Sequence, residues 1–137
     1  MLLPKKTKHR NFQKGGKLIG GFADAGSTLV FGTFGLKSLS AGRLRSNQIE
    51  AARRCITRTM KRSGKMWIRV FPHIPVTGKA LGVRMGGGKG SISYWMCRVR
   101  PGLVLFELDG VEYGVSVEAL EKASNKLPFK TKVVKLV

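Results

Sequence analysis

The chain has 137 residues, and its 26 lysines and arginines against seven aspartates and glutamates give a formal net charge of +19. The length accommodates one domain with a real core and is too short to promise two. So much charge of one sign repels itself, which disfavours a protein that is merely basic and soluble. It favours a polyanionic partner, nucleic acid before an anionic membrane, because neutralised phosphates release their condensed counterions.

The positive charge is confined to the part of the chain before residue 107. Up to Phe106 there are 21 basic residues and two acids, whereas residues 107–137 hold five of each sign and are neutral. The basic part is therefore where a polyanion is expected to bind. Most of the carboxylates that could act as acids or bases lie away from it in sequence.

Residues 1–26 are predicted to be a basic N-terminal extension. They contain few large apolar side chains, so the segment should be extended and ordered by its partner, with a flexible solubilising tail as the alternative. Pro4 and several glycines disfavour the amphipathic helix of an organellar presequence, and no apolar run approaches the roughly 18 residues of a membrane span. The basic residues of the extension are Lys5, Lys6, Lys8, Arg10, Lys14 and Lys17.

Residues 27–137 are predicted to form one domain, in which "STLVFGTFGLKSL" indicates a strand and a turn broken by Gly32 and Gly35. The segment "SNQIEAARRCITRTMKRSG" is predicted to be a helix, with Ser46 as the N-cap and Gly64 as the end. Apolar residues at helical spacing form its predicted core face: Ile49, Ala52, Ile56 and Met60. Four cations with no acid among them form the opposite face and predict phosphate contact: Arg54, Arg58, Lys61 and Arg62.

The remaining segments complete an α+β prediction, a single compact domain with a mostly antiparallel sheet and two helices. "KMWIRVFP" alternates as a strand does, and "SISYWMCRVRPG" and "LVLFELDG" indicate two strands of a hairpin joined around Pro101 and Gly102. "SVEALEKASNKLP" is predicted to be a second helix, capped by Ser116 and ended by Pro128, and "FKTKVVKLV" a final strand. The aromatic rings of Tyr94 and Trp95 fit the core better than base stacking.

The stretch "RMGGGKG", residues 84–90, is rich in glycine like a phosphate-binding loop but does not match the known pattern of such loops. A Walker loop would need glycine where Val83 stands and a hydroxyl where Gly90 stands, and the segment that follows is a predicted strand, without a helix N-terminus for a phosphate. A flexible loop over residues 79–90 remains. Its cations Lys79, Arg84 and Lys89 suit an RNA backbone.

Neither catalysis nor a metal is predicted. Cys55 and Cys97 lie in apolar patterns that fit reduced, buried thiols, and together with His9 and His73 they show no zinc-ligand spacing. No acid, base or nucleophile can be nominated, so we expect no cofactor and no small-molecule substrate. Two alternatives stay open: a free RNA chaperone or assembly factor, and a phosphate-transferring enzyme that uses Lys89.

Two segments resemble a known family. "KRSGKMWIRVFP" (61–72) and "RMGGGKGSISYW" (84–95) resemble the two signatures of the bacterial-type large-subunit ribosomal protein L-sixteen family, and "PKKTKHR", "FGTFGLKSL", "RLRSNQIEAARR" and "KLPFKT" follow the family's order. The resemblance covers nearly the whole chain. It implies an alpha/beta hammerhead-like fold that binds large-subunit rRNA beneath the central protuberance, near the aminoacyl-tRNA site, beside neighbouring ribosomal proteins. RNA would do the chemistry, and the protein would support assembly and tRNA positioning.

The charge pattern and the resemblance together define the predicted site. Predicted RNA-binding residues are Lys5, Lys6, Lys8, Arg10, Lys14, Arg43, Arg45, Arg54, Arg58, Lys61, Arg62 and Arg69. The loop predicted to approach tRNA and the peptidyl transferase region comprises Lys79, Arg84, Met85, Gly86, Gly87, Gly88, Lys89 and Gly90. Departures from the family in "KLIGGFADAGST" and "GVEYGVSVEAL" slightly favour a mitochondrially encoded protein over a bacterial cytoplasmic one.

Overall fold

Seven strands and two helices follow one another in the computed structural model, which describes residues 1–8, 12–15 and 20–136. In chain order they are β1 Phe34–Ser38, β2 Gly42–Arg45, α1 Ser46–Thr59, β3 Lys65–Ile68, β4 Ile74–Gly78, β5 Ser91–Val99, β6 Val104–Asp109, α2 Tyr113–Ser124 and β7 Thr131–Lys135. The α+β prediction is confirmed. The expectations for His9, Arg10 and Lys17 lie outside the described residues.

The strands form two antiparallel sheets. A four-stranded sheet has the order β3-β6-β1-β7, and a three-stranded sheet has the order β2-β5-β4. Two strands of the smaller sheet were not predicted. β2 is short and half charged, and β4 contains Pro75, which is tolerated because β4 is an edge strand.

The predicted hairpin of β5 and β6 is wrong. The two strands belong to different sheets, since β5 pairs with β2 and β4 while β6 pairs with β1 and β3. The turn itself exists, with Gly102 in the left-handed region at φ +90°, but it carries the chain from one sheet to the other. Besides its own bond from Leu103 N to Arg100 O at 3.3 Å, the turn is bonded to other segments: Gly102 N donates to Ser38 O at 2.7 Å and Ala23 N donates to Pro101 O at 2.8 Å.

The main core lies between the two helices and both sheets, and the predicted core face of α1 is confirmed. Ile49, Ala52 and Ile56 are fully buried, and Met60 is nearly so. They belong to one core with residues of α2 and of both sheets, such as Leu44 and Phe106, which are also fully buried. A second, smaller core of Ile74, Val76 and Met96 belongs to the smaller sheet.

Both predicted helix starts are displaced, and both helices end earlier than predicted. Ser46 is the first residue of α1 and not its cap; the preceding Arg45 N donates to Gln48 Oε1 at 2.9 Å. Ser116 lies inside α2, where its buried hydroxyl donates to Val111 O at 3.3 Å. α1 ends at Thr59 and α2 at Ser124. A serine one turn from a helix start has the same sequence signal as a cap, and only the backbone angles separate the two.

Gly35 does not break the first strand, because it lies within β1. A Cβ at this position would approach the Leu29 side chain to 2.4 Å, so the glycine serves close packing and not a turn. Both cysteines are free thiols, as predicted, but only Cys97 is buried; Cys55 is half-buried. Burial raises the pKa of the Cys97 thiol to about 11.

A buried carboxylate joins the larger sheet to the chain that precedes it. Glu107 on β6 is fully buried, and its Oε2 accepts hydrogen bonds from the backbone N–H groups of Val30 (3.1 Å), Phe31 (2.6 Å) and Gly32 (2.9 Å). Its Oε1 is paired with the Arg69 guanidinium. Burial raises the pKa of Glu107, but the three backbone donors and Arg69 outweigh it, so the net pKa lies below its usual value of 4.5.

We predict that Glu107→Gln lowers the free energy of unfolding at pH 7 by about 3 kcal/mol, since it leaves Arg69 without its counter-charge. Because the pKa of Glu107 is lower in the folded protein, the carboxylate stabilises the fold fully when the pH is above its usual pKa of 4.5. This stabilisation is lost as the pH falls through the folded-state pKa. Urea unfolding at pH 7 and pH 3 should therefore show the difference between wild type and variant shrinking in acid. The exposed Glu121→Gln is the control. A difference that does not change with pH would contradict the assignment.

Candidate nucleic-acid interface

The outward side of α1 and the turn after it form an open basic groove of about 580 Å³. The spacing of three to four residues along the helix places the arginines on one side of it. We call this the α1 groove, and its lining residues are Arg53, Arg54, Thr57, Arg58, Lys61 and Arg62. The four predicted cations of the helix are thus brought together, with Arg53 as an addition.

One part of the prediction for this helix is wrong, because an acid does pair with its cations. Glu50 Oε1 lies 2.7 Å from Arg53 Nη2 and 3.0 Å from Arg54 Nε. The hydrogen bond from Arg53, opposed by burial and reinforced by Arg54, lowers the pKa of Glu50 to about 2. Glu50 lies one turn before the two arginines, an i, i+3 and i, i+4 spacing visible in the sequence.

Glu50 offsets one of the two charges of Arg53 and Arg54, so most of the positive charge that remains in the α1 groove comes from its far end. Arg58, Lys61 and Arg62 have no ion-pair partner among the described residues. Arg58 lies in the last turn of α1, and Lys61 and Arg62 follow it. The nearby carbonyls already accept hydrogen bonds, since Arg62 N donates to Thr57 O and Ser63 N donates to Met60 O. These three cations are free to meet an external anion.

The turn that carries two of these cations is strained. Lys61 and Arg62 adopt left-handed backbone conformations, with φ of 50° and 67°. For a non-glycine residue this conformation is unfavourable by roughly 1–2 kcal/mol. Two successive residues held there, both cationic, indicate a turn shaped for presenting charge as well as for ending the helix.

A second cationic surface lies on the smaller sheet and holds part of the N-terminal extension. Arg43 Nη2 donates to Gly15 O at 2.7 Å, Arg98 Nη2 donates to the Gln13 and Lys14 carbonyls at 3.2 Å each, and Lys89 Nζ donates to Phe12 O at 2.9 Å. Residues 12–15 therefore lie along the sheet through their backbone carbonyls.

Arg98 is a member of this surface that the sequence analysis missed. It faces Arg43 across the β2–β5 ladder, so the signal was present only once the pairing of those strands was known. Arg45, two register positions beyond Arg43, lies with its Cζ 4.3 Å from the centre of the Tyr94 ring. That half-buried ring packs against the smaller core, as the core interpretation of Tyr94 expected.

The glycine loop spans residues 79–90, since β4 ends at Gly78 and β5 begins at Ser91. Four glycines in it, at positions 82, 86, 87 and 88, have positive φ. Lys79 Nζ donates to the carbonyls of Arg84 (3.4 Å) and Gly86 (2.5 Å), so the loop is held together by hydrogen bonds from its own lysine. Leu81 and Met85 are almost completely exposed at its tip.

The remaining predicted residues divide between surface and interior. Lys5, Lys6, Lys8 and Lys14 are exposed. Arg69, by contrast, is committed to Glu107 with its side chain only 19% exposed, so its charge is neutralised inside the protein. This is the predicted RNA contact that the structure argues against, because an ion pair with a buried acid leaves little charge for a phosphate.

The fold and these surfaces together define a class of protein. Within residues 1–8, 12–15 and 20–136 no group of His, Cys, Asp and Glu could hold a metal, and neither helix is long and apolar enough to cross a membrane. What the domain does present is two surfaces of arginine and lysine. It is a small, strongly basic α+β protein.

The chain belongs to the family described as Ribosomal protein L16p/L10e, which matches residues 4–134. It is 56% identical over 135 residues to the large ribosomal subunit protein uL16 of Psychrobacter arcticus, covering 98% of this chain and 97% of that protein. The uL16 protein of Psychrobacter cryohalolentis shows the same identity and coverage. That of Erythrobacter litoralis is 57% identical over 134 residues, 98% of this chain and 92% of the relative.

Family membership confirms the resemblance drawn from the two signatures and confirms that the protein is a structural ribosomal protein and not an enzyme. It does not support the preference for a mitochondrial protein, because these relatives are bacterial. Departures from a family pattern in two segments reflect drift, which occurs in any lineage, and they carry no information about the compartment.

We predict that Lys61→Gly gives a protein about 1 kcal/mol more stable than Lys61→Ala, because glycine adopts the left-handed conformation without the steric cost that alanine pays. Both variants lose the same charge, so only the backbone differs. Chemical unfolding measures the difference. At Lys126, which is exposed and outside the left-handed region, the same pair of substitutions should show no advantage for glycine. Equal stability of the two Lys61 variants would contradict the assignment of backbone strain to this position.

Proposed function

We propose that the protein is a structural constituent of the large ribosomal subunit that binds large-subunit rRNA through the α1 groove and the cationic surface of the smaller sheet. The observation that carries the proposal is the cluster of Arg58, Lys61 and Arg62. Three cations without a partner among the described residues stand at one end of a groove, on a chain of a ribosomal protein family. Lysine and arginine side chains placed this way suit the phosphates of an RNA strand.

The groove suits an RNA backbone better than it suits a small molecule. It is open, its lining is almost entirely basic, and its charges stand along a helix and a strained turn rather than around an enclosed cavity. Small-molecule sites are concave and mostly apolar, with a few convergent polar groups. An extended polyanion would meet these cations in succession and would release counterions at each contact.

The cationic surface of the smaller sheet supports a second contact region. Arg98 and Lys89 hold the extension by its backbone carbonyls, and a carbonyl, unlike a carboxylate, does not neutralise a positive charge. The extension adds the exposed Lys5, Lys6 and Lys8. We propose that extension and sheet bind rRNA together, with the extension following the RNA outward from the domain.

The glycine loop is proposed to approach tRNA near the aminoacyl site, the peptidyl transferase region and the central protuberance, as the family resemblance implies. The loop contributes little to either core, because its tip residues are exposed, and its shape depends on Lys79 and on left-handed glycines. A loop that lies outside the core and has its conformation set by its own hydrogen bonds is suited to contacts with a partner. Arg84 supplies an exposed positive charge on it.

Sedimentation of the tagged protein through a high-salt gradient tests the proposal. We expect it to run with the large subunit, and we expect Arg58→Ala with Arg62→Ala to release it at lower salt. In binding assays this double variant should lower the slope of log affinity against log salt by about two, one for each lost phosphate contact.

Lys130→Ala with Lys132→Ala is the matched control. It removes the same charge from exposed positions in the neutral part of the chain, so its slope should change much less. Equal changes in both double variants would show that total charge, and not the α1 groove, is responsible. Wild-type protein found mainly off mature subunits would replace the proposal with the RNA chaperone or assembly factor.

We predict that Gly87→Val with Gly88→Val leaves subunit association intact and slows peptide synthesis several-fold. Both glycines have left-handed φ, 68° and 93°, with open space around them, so valine strains the loop without disturbing the core. Translation by purified ribosomes that carry the variant measures the effect. Gly114→Val, at an exposed position without positive φ, should translate normally. Normal synthesis by the loop variant would refute a role near tRNA.

A further inference from the structure

The exposed aromatic ring of Phe31 lies beside the buried Glu107, to which its backbone N–H is bonded. It does not line the α1 groove. Phe31 is 55% exposed. A large apolar side chain exposed at this level is common on protein surfaces and is not by itself a site. What distinguishes Phe31 is how firmly its backbone and its ring are held.

The backbone beneath the ring is fixed by hydrogen bonds and by close contact. The N–H of Phe31 donates to the Glu107 carboxylate at 2.6 Å, between the bonds from Val30 and Gly32. Gly32 lies so close to β6 that a Cβ there would stand 2.4 Å from Leu108 O. Three bonds to one buried charge and a glycine contact leave this segment little freedom.

The ring itself is also held. It stacks on Trp67, with centroids 6.0 Å apart and planes inclined by 20°, and the Arg69 guanidinium lies 5.1 Å from its centre. Trp67 and Arg69 are two residues apart in an extended segment, so their side chains project to the same side of it. With both contacts in place Phe31 is still 55% exposed, so part of its ring remains open to solvent.

The basic α1 groove near the ring favours a polyanion over a protein surface as its partner. Of the two acids on this part of β6, Glu107 is bonded to three N–H donors and Arg69, and the partly buried Asp109 lies opposite Lys65 in the strand register. Lys65, the first residue of β3, is exposed. Trp67 follows Arg62 of the α1 groove by five residues, at most about 18 Å of chain, so an RNA strand that leaves the groove can reach the ring.

On these observations, and resting on the proposed function, we infer that the exposed part of the Phe31 ring is a stacking site for one unpaired nucleobase of the bound RNA. An unpaired base offers a flat π face to an aromatic ring, whereas its phosphate remains available to a nearby cation such as Lys65. The ring is prepared for this before binding. Phe31 thus extends the phosphate-binding α1 groove with a contact to a base.

Photo-cross-linking in assembled large subunits identifies the partner directly. Phe31 is replaced by p-azidophenylalanine, which keeps the ring, and the assembled subunits are irradiated. We expect adducts on one rRNA nucleotide or two adjacent ones. The control replaces Tyr113, which is 62% exposed in the neutral part of the chain, and should give no such dominant nucleotide. Adducts on protein alone, or the same RNA adducts from both positions, overturn the inference.

Base-reactivity probing tests the stacking itself. In subunits carrying Phe31→Leu, the cross-linked base should become about fivefold or more reactive, the lower end of the effect of a lost base–aromatic stack. Phe31→Tyr should restore the protection, and Val30→Ala, a change at the exposed neighbour without a ring, should leave it unaltered. An unchanged profile for Phe31→Leu overturns the inference.

The two proposals fail in distinguishable ways. If Phe31→Leu sediments with the large subunit as wild type does and the base stays protected, the stacking site is wrong and the proposed function stands. If the wild-type protein itself does not sediment with the large subunit, the proposed function fails and the stacking site fails with it. Thermal unfolding of the isolated Phe31→Leu protein shows whether any lost association comes from lost folding.

Discussion

The arrangement of this molecule depends on one buried negative charge. Glu107 lies fully buried on the central strand β6, and it is stable there because three consecutive N–H groups and one guanidinium surround it. An uncompensated charge in that position would cost several kcal/mol. The requirement fixes where Val30, Phe31 and Gly32 must lie and directs Arg69 inward. One carboxylate thereby connects the N-terminal chain, the edge strand and the centre of the larger sheet.

The same logic divides the cations of this basic chain into two groups. Arg69 is paired with Glu107, and Arg53 and Arg54 share Glu50; the two carboxylates balance two of these three charges within the fold. Arg58 and Arg62 have no such acid among the described residues. A net charge of +19 is therefore a poor guide to which residues bind RNA. The few acids, by their positions, decide which cations remain for a partner.

Much of the fold followed from local pattern. The α1 face of Ile49, Ala52 and Ile56 is visible because helical spacing of apolar residues depends on the helix alone. The hairpin of β5 and β6 was wrong because a turn signal such as Pro101–Gly102 says that the chain bends and does not say which strands pair. β4 was missed because Pro75 is a strand breaker in general and is acceptable only at an edge.

The sequence by itself determined the charge partition, the two helices, the glycine loop and, through its two signatures, the family. These are properties of composition and of short stretches, which do not depend on what packs beside them. Only the tertiary structure decided that Arg98 faces Arg43, that Arg69 is paired with Glu107, and that Phe31 stacks on Trp67. Each of these depends on groups brought together from distant parts of the chain, and the energy of a charge or a ring is set by those neighbours.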